Sequence, residues 1–364
     1  MYPRLEINVD KLNTNIKVLS NLCKMHNIDM AIVTKSYCAI PEVVEEITKE
    51  NVDYIADSRV SNLKALNHIG IPKILLRIPM LSEVEEVIKY VDISFNSEIK
   101  TIYKLNQEAK KQNIVHKIVV MVDLGDLREG FFNEEEVYNA VEKILRLENI
   151  RLYGLATNLT CYGAIIPSEE NLGRLASIAN EIETRYNTRL EFISGGNSSS
   201  IDLMMKYNMP SGITNLRLGE AIVLGRETAY GANIEGTYQD AFKLVCEIVE
   251  MKEKPSLPIG EIGVDAFGNK PIYEDKGMLT RAIVAIGKQD IDITSIHPVD
   301  KEVEVLGASS DHMILNLSGC SKKYNIGDKV EFTLEYGGLV TACTSKYVHK
   351  EVLYNKCAEG ELAY

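Results

Sequence analysis

The chain has 364 residues, longer than a single hydrophobic core usually grows, so one large domain with a smaller companion is the expected organisation. Hydrophobic residues make up 45% and charged residues 25%, the balance of an ordinary globular protein, and no apolar run approaches the roughly 20 residues of a membrane span; disorder and membrane insertion are disfavoured. A net charge of -12 speaks against a nucleic-acid partner, which needs a clustered basic surface, but leaves small anionic ligands open because these answer to local donors.

The N-terminus, MYPRLEINVDKLNTNIKVL, carries an Asp and a helical period where a secretory leader would have an unbroken apolar stretch and a cleavage site, so cytoplasmic residence is expected. Short β-rich runs then alternate with helical periods. The runs are Met30–Lys35, Tyr54–Ser58, Lys73–Ile78, Asp92–Asn96, Lys117–Asp123, Leu152–Asn158, Glu191–Ser194 and Asn215–Gly219. Between them, Pro41–Lys49, Glu98–Gln112, Glu134–Leu147 and Ser168–Tyr186 have apolar residues at three and four spacing, the first with Pro at the opening helical position. Near-continuous apolar strands alternating with helices are the mark of a parallel α/β fold, and eight of them suggest closure into a (β/α)8 TIM-type barrel. An open doubly wound sheet would want GxGxxG after its first strand, and that fingerprint is absent.

After about Ala232 the texture changes to short runs broken by Gly and Pro, namely AFKLVCEIVEM, LTRAIVAIG, EVEVLGASSDHMILNL and KVEFTLEYG. They predict a C-terminal β-rich domain, giving a barrel over 1–232 and a β domain over 233–364. Lys252–Gly277, rich in Gly, Pro and charge, reads as a long loop or hairpin excursion. The seven cysteines (Cys23, Cys38, Cys161, Cys246, Cys320, Cys343, Cys357) are scattered and never spaced as CxxC, so reduced packing residues are expected, with no disulfide framework and no metal site.

In such a barrel the reactive residues sit at the C-terminal strand ends and in the loops that follow. Strand one ends in Thr34-Lys35-Ser36-Tyr37 and strand five in Asp123 to Arg128. Strand six ends in Thr157-Asn158, strand seven in Ser194 to Ser200 and strand eight in Arg217 to Glu220. A lysine closing a buried strand is either a solvated rim residue or a desolvated, nucleophilic amine. Gly195-Gly196-Asn197-Ser198 and Leu218-Gly219-Glu220 offer backbone N–H groups and hydroxyls where barrels commonly bind phosphate. A lysine beside a phosphate cradle points to pyridoxal phosphate.

At these residues the chain resembles the alanine racemase family, the fold-type III pyridoxal enzymes with an N-terminal barrel and a C-terminal β domain, over nearly its whole length. Val33-Thr34-Lys35-Ser36-Tyr37 is similar to the family's cofactor-lysine segment, which makes Lys35 the implied Schiff-base lysine and places Tyr37 near the cofactor. Asp123-Leu124-Gly125-Asp126-Leu127-Arg128-Glu129-Gly130 resembles Asp-Thr-Gly-Met-Gly-Arg-Leu-Gly and so implies that Arg128 meets the substrate carboxylate. Asn197-Ser198 matches an Asn-Ser pair, with Ser198 on phosphate. Arg217-Leu218-Gly219-Glu220 resembles Arg-Pro-Gly-Ile, which implies Arg217 at the pyridine nitrogen and the N–H groups of Gly219 and Glu220 on phosphate. An arginine does not readily release its proton, so it leaves that nitrogen unprotonated and weakens the ring as an electron sink, favouring return of a proton to Cα and hence racemisation over transamination.

The pattern also breaks. Racemisation by two bases needs a group on each face of a planar intermediate. The family's second group is a tyrosine in Gly-Tyr-Ala-Asp-Gly given by the partner subunit, whereas here Ile286-Gly287-Lys288-Gln289-Asp290 puts Lys288 in its place, as second base or as a surface lysine. Gly307-Ala308-Ser309-Ser310-Asp311-His312 resembles the segment that reaches the substrate across the dimer. Ser309, Ser310 and Asp311 would line the substrate, with Asp311 either orienting a base or pairing with a distal ammonium, and His312 follows them. Asn158 stands where a histidine packs on the cofactor ring, and Met121 where many relatives have a modified lysine, leaving Asp126 to orient Arg128. Together these departures resemble the ornithine racemase branch of the family. The resemblance implies pyridoxal 5'-phosphate as cofactor, an amino-acid substrate, and a homodimer with shared sites. Alternatives are an alanine or lysine racemase, a fold-type III decarboxylase, which tends to use a glutamate at the position of Arg217, and a non-catalytic pyridoxal-phosphate carrier, which lacks a β domain. A D-threonine aldolase or D-serine dehydratase would want clustered His and Cys ligands, for which His349 and Cys357 alone do not suffice.

Overall fold

The computed structural model describes residues 1–50, 52–207, 209–270 and 272–354. The chain forms two compact units, one of Lys11–Gln239 and one that joins Met1–Asp10 to the residues from Asp240 onward. It opens with strand β1 (Arg4–Asn8) and helix α1 (Val9–Met25).

Eight parallel strands of the first unit close into a barrel in chain order: β2 (Asp29–Val33), β3 (Tyr54–Asp57), β4 (Lys73–Leu75), β5 (Ile93–Asn96), β6 (His116–Met121), β7 (Ile150–Ala156), β8 (Phe192–Ser194) and β9 (Asn215–Leu218). Closure is made by β2 on β9, with Ala31 opposite Arg217. Each expected run overlaps one of these strands, although β2, β6 and β7 begin one or two residues before their runs. Ala31, Val33, Ala56, Ile93, Phe95, Val119, Met121 and Phe192 form one buried cluster, and their i, i+2 spacing puts them on a single face of the strands. The intervening positions Ile32, Ile55 and Ile118 are fully buried as well. That double burial explains why the strands read as continuous apolar runs.

Between strands lie α2 (Pro41–Ile47), α3 (Val60–Ala65), α4 (Val84–Tyr90), α5 (Ile99–Lys111), α6 (Glu134–Ile144), α7 (Glu169–Tyr186), α8 (Ser200–Lys206) and, after β9, α9 (Glu220–Leu224). Local chemistry sets their ends. Asn133 caps α6 by accepting from Glu135 N–H, and Ser168 with Asn171 makes a reciprocal capping box at α7, which stops at Asn187 in the left-handed conformation.

In the second unit, β10 (Phe242–Pro255), β11 (Met278–Val284), β12 (Ile296–Pro298), β13 (Glu304–Ala308), β14 (Met313–Asn316) and β15 (Lys329–Leu334) form an antiparallel sheet in the order β12-β15-β10-β11-β14-β13. Helix α10 (Tyr336–Thr344) and strand β16 (His349–Leu353) follow. Strand β1 pairs antiparallel with β10 and parallel with β16, so the first residues belong to the β unit and not to the barrel. The division therefore differs from the expected 1–232 and 233–364. Leu5 and Ile7 alternate into the core at 0% exposure, but five residues of alternation running straight into a helix are masked by the helical period that follows. The expected excursion over Lys252–Gly277 is a hairpin: β10 and β11 pair as far as Pro255 opposite Met278. Among the described residues no helix is long and apolar enough to cross a membrane.

Candidate active site

Strand β2 ends at Val33, two residues before its expected limit, and Lys35–Tyr37 form a single 3-10 turn. The turn has a defined cause. Thr34 still follows the sheet, its N–H donating to the Ala56 carbonyl at 2.9 Å, while its own carbonyl accepts from Tyr37 and Ala39 N–H at 3.2 and 3.1 Å and so bends the chain. The Thr34 hydroxyl donates to Asp57 Oδ2 at 2.7 Å. Lys35 is thereby presented at the C-terminal end of the barrel, open to solvent on one side and crowded by protein on the others. Burial lowers the pKa of its amine and Arg128 lowers it further, Cys161 and Asp57 oppose them, and Arg217 adds a smaller lowering. Tyr37, the last residue of that turn, is 1% exposed.

The loop after β6 is folded on Asp123, whose Oδ1 accepts from Gly125 and Leu127 N–H at 2.8 and 3.1 Å. Gly130 closes it at φ +126°, where a Cβ would lie 2.6 Å from the Asp123 nitrogen, so only glycine fits. Arg128 rises from this loop, forks onto the Glu129 carboxylate through Nε and Nη2, and donates through Nη1 to Cys161 Sγ at 2.7 Å. The hydrogen bond to Glu129 raises its pKa despite burial. Asp126 does not orient Arg128 as expected. Its buried carboxylate accepts instead from Cys161, Tyr162 and Ile165 N–H at 3.2, 2.9 and 3.3 Å, lashing the loop after β7 to the loop after β6. Asp126 is linked to Arg128 through Cys161, which it holds by its backbone N–H.

Arg217, on β9, is 4% exposed. Its Nη1 donates to Ser194 Oγ at 2.6 Å, its Nη2 to the Thr157 carbonyl at 2.7 Å, and the guanidinium lies 5.2 Å from the Phe95 ring centroid. Among the described residues no carboxylate pairs with it. Burial pushes its pKa down to about 10, Glu129 opposes that and Arg128 adds to it. A buried guanidinium with neutral partners and unused donors costs stability unless a ligand completes it. Met121, on the inner barrel face, is 1% exposed and purely a packing residue here.

Beyond β8, Ser198 Oγ accepts from Gly219 and Ala221 N–H at 3.4 and 3.1 Å, which brings together the two predicted phosphate turns. Asn197 fixes the first of these, donating to Asn158 Oδ1 at 3.2 Å and the Leu159 carbonyl at 2.8 Å and accepting from Ser199 N–H at 2.9 Å. Glu220, which begins α9, meets Arg226 at 3.3 Å. Among the described residues the buried Ser199 hydroxyl and Asn158 Nδ2 have no partner, and such orphan donors fit a bound phosphorylated group. Lys35, Arg128 and Arg217, with Ser198, Asn197, Asn158, Gly219 and Glu220, thus share one end of one barrel.

The other predicted residues gather in the β unit. Gly287 lies so close to the β13–β14 turn that a Cβ would be 2.3 Å from the Ser310 carbonyl oxygen, and Lys288 and Gln289 N–H donate to the Ser309 and Ser310 carbonyls at 2.8 and 3.1 Å. Ser310 Oγ donates to Asp311 Oδ2 at 2.7 Å, and the exposed His312 follows it. Lys288 Nζ stands 4.4 Å from the Phe267 ring centroid and 4.0 Å from Asp265 Oδ2, both in the hairpin excursion. Cys357 lies outside the described residues, and among the described residues no three potential metal ligands converge.

Sequence reasoning missed Glu129, Cys161, Thr34 and Asp57. Thr34 and Asp57 carried a usable signal, since each is a polar residue at the C-terminal end of an apolar barrel strand. The link from Arg128 to Cys161 spans 33 residues and had none.

Three comparisons bear on this geometry. The family described as alanine racemase, N-terminal domain, matches residues 7–227. An ornithine racemase of Acetoanaerobium sticklandii is 54% identical over 353 residues, 97% of this chain and 100% of its own. A lysine racemase of Thermotoga maritima is 37% identical over 352 residues, 96% of this chain and 98% of its own. Among solved structures, alanine racemase of Clostridium difficile 630 superposes with a TM-score of 0.73 at 22% identity over 97% of this chain and 96% of that one, a likeness of fold.

Proposed function

Because the chain belongs to the alanine racemase family, we propose that it is a pyridoxal-phosphate-dependent amino-acid racemase acting on ornithine. The observation that carries the chemistry is the convergence of Lys35, Arg128 and Arg217 on the end of the barrel where Ser198 joins the turns after β8 and β9. The substrate rests on the 54% identity to an ornithine racemase across both full lengths.

The cofactor, when bound, supplies an electron sink that acidifies the amino-acid α-carbon. Lys35 would hold it covalently, and its lowered pKa suits an amine that must also take and return a proton. The orphan Ser199 hydroxyl, Ser198 and the backbone N–H groups of Gly219 and Glu220 would receive the phosphate, and Asn158 would face the ring. Arg217, cationic even at its depressed pKa, would donate to the pyridine nitrogen without protonating it. Arg128 would bind the substrate carboxylate through the guanidinium N–H groups that Glu129 and Cys161 leave over. Lys288 is the proposed second base, and Ser309, Ser310 and Asp311 the proposed receivers of the distal ammonium, given by the partner of a homodimer. The cytoplasm is the proposed compartment.

Purified protein should show an absorbance band near the visible edge, removed by borohydride and missing in Lys35→Ala. Chiral analysis after incubation with ornithine, lysine and alanine then decides the substrate. Fast alanine turnover without ornithine turnover would overturn the choice, and ornithine racemisation by Lys288→Met at the parent rate would remove Lys288 from the reaction.

A further inference from the structure

Asp57 ends β3 at 0% exposure and has no part in the chemistry so far described. Donors reach both its oxygens. Oδ1 accepts from Arg59 N–H at 2.8 Å and Asn62 Nδ2 at 3.1 Å, and Oδ2 from the Thr34 hydroxyl at 2.7 Å and Asn62 Nδ2 at 3.2 Å. Burial raises the pKa of this carboxyl, and the bonds from Thr34, Arg59 and Asn62 act against that rise by favouring the ionised form.

We propose that Asp57 is a positioning residue for Lys35: it fixes Thr34, and so the turn that presents the lysine amine, and it places a negative charge beside a site otherwise dominated by Arg128 and Arg217. Geometrically, Asp57 Oδ2 holds Thr34 Oγ1, and the Thr34 carbonyl holds the N–H groups of Tyr37 and Ala39, every hydrogen bond between 2.7 and 3.2 Å. The Thr34 side chain and carbonyl are both engaged, which restrains the backbone immediately before Lys35. The electrostatic half concerns the charges that face the amine from each neighbouring segment. Arg128, after β6, and Arg217, on β9, oppose a proton on it, whereas Asp57, on β3, and Cys161, after β7, favour one. An amine that must alternate between holding and releasing a proton needs both influences. Asx-type bonding to Arg59 N–H also steadies the approach to α3, and that purely structural duty is what the test must separate.

The assignment rests on Lys35 being the cofactor lysine. In the loaded enzyme, Asp57→Asn keeps a group of the same shape but removes the charge. The pH midpoint of the cofactor's absorbance band is then expected to fall by about one unit. A structural role alone would lower thermal stability and leave that midpoint in place. Thr34→Val removes the hydroxyl link and keeps the charge. It is expected to lower kcat about 10-fold with little change in KM, and Thr34→Ser, which restores the hydroxyl, to recover most of the loss. An unmoved midpoint in loaded Asp57→Asn overturns the electrostatic half, and parent kcat in Thr34→Val overturns the positioning half. Should Asp57→Asn fail to fold, the Thr34→Val and Thr34→Ser pair decides the positioning half, and the midpoint in loaded Asp57→Ser, which also lacks the charge, decides the electrostatic half. A parent protein that never takes up pyridoxal phosphate sinks the reading of Lys35 and this assignment together, whereas a loaded parent with unresponsive variants sinks only the assignment.

Discussion

At the scale of single residues the site is a problem of cation placement. Lys35, Arg128 and Arg217 act on one another electrostatically, and each is held differently: Lys35 by a turn, Arg217 by a buried hydroxyl and a carbonyl, Arg128 by a carboxylate and a thiol. The fork of Arg128 matters as much as its charge. Its Nε and Nη2 engage Glu129 in parallel, a geometry the point charge of a lysine does not reproduce. Arg128→Lys is therefore expected to raise KM for the amino acid about 10-fold or more, roughly the 1.4 kcal/mol of one lost charge-assisted bond, while cofactor absorbance is retained. Steady-state kinetics beside an absorbance spectrum check it. Loss of the absorbance band would place Arg128 on the cofactor and not on the substrate. The arginines and Lys35 were legible in the sequence because their motifs are local. Glu129 was adjacent yet overlooked, and Cys161 was invisible, since its partnership depends on Asp126 binding one loop to another.

At the scale of elements, the eight barrel strands were legible because burial on both faces leaves an apolar run that no surface helix produces. Strand β1 was not, since its pairing partners lie more than two hundred residues away. The ends of strands were less legible than their middles. Lys35 was read as the last residue of a strand, and only the Thr34 bonds show the chain turning first. Two strands also carry a polar link that makes a pH prediction. His116, opening β6, is 2% exposed and bonds Ser94 Oγ on β5 at 2.8 Å, and burial lowers its pKa from 6.5 to about 4. The folded state thus holds fewer protons than the unfolded chain between those values, so stability is full above about pH 6.5 and is lost as pH falls towards 4. The loss at pH 4 is expected to approach ~3 kcal/mol, and His116→Gln to flatten it. Denaturant unfolding between pH 4 and 7 measures the difference, and equal slopes in parent and variant would contradict it. In the β unit the comparable element is the contact of Gly287 with the Ser310 turn, where a Cβ has no room. Gly287→Ala is expected to separate Lys288 from Ser309 and Ser310 and cost about 1–3 kcal/mol of stability. Loss of racemisation with an intact absorbance band would be its functional sign.

At the scale of the molecule, the predicted residues fall into two groups that belong to separate compact units, Lys35 with its arginines in the barrel and Lys288 with Asp311 in the β unit. If each working site takes its β-unit residues from a second copy, a chain defective in one group complements a chain defective in the other. Lys35→Ala and Lys288→Met, each inactive alone, are then expected to recover racemisation when unfolded, mixed equally and refolded. Random pairing makes half of the dimers mixed. A mixed dimer holds one intact site and one doubly defective site, so about a quarter of parental activity should return. Sites built within one chain would give none, because no chain in the mixture is whole. The same design separates substrate recognition from catalysis. Alanine has no second ammonium, so Asp311→Ala is expected to raise KM for ornithine about 10-fold or more while sparing whatever alanine turnover the parent has. An equal loss on both substrates would move Asp311 from recognising the side chain to orienting the base, and with it the explanation for why Ser309, Ser310 and Asp311 stand together on that turn.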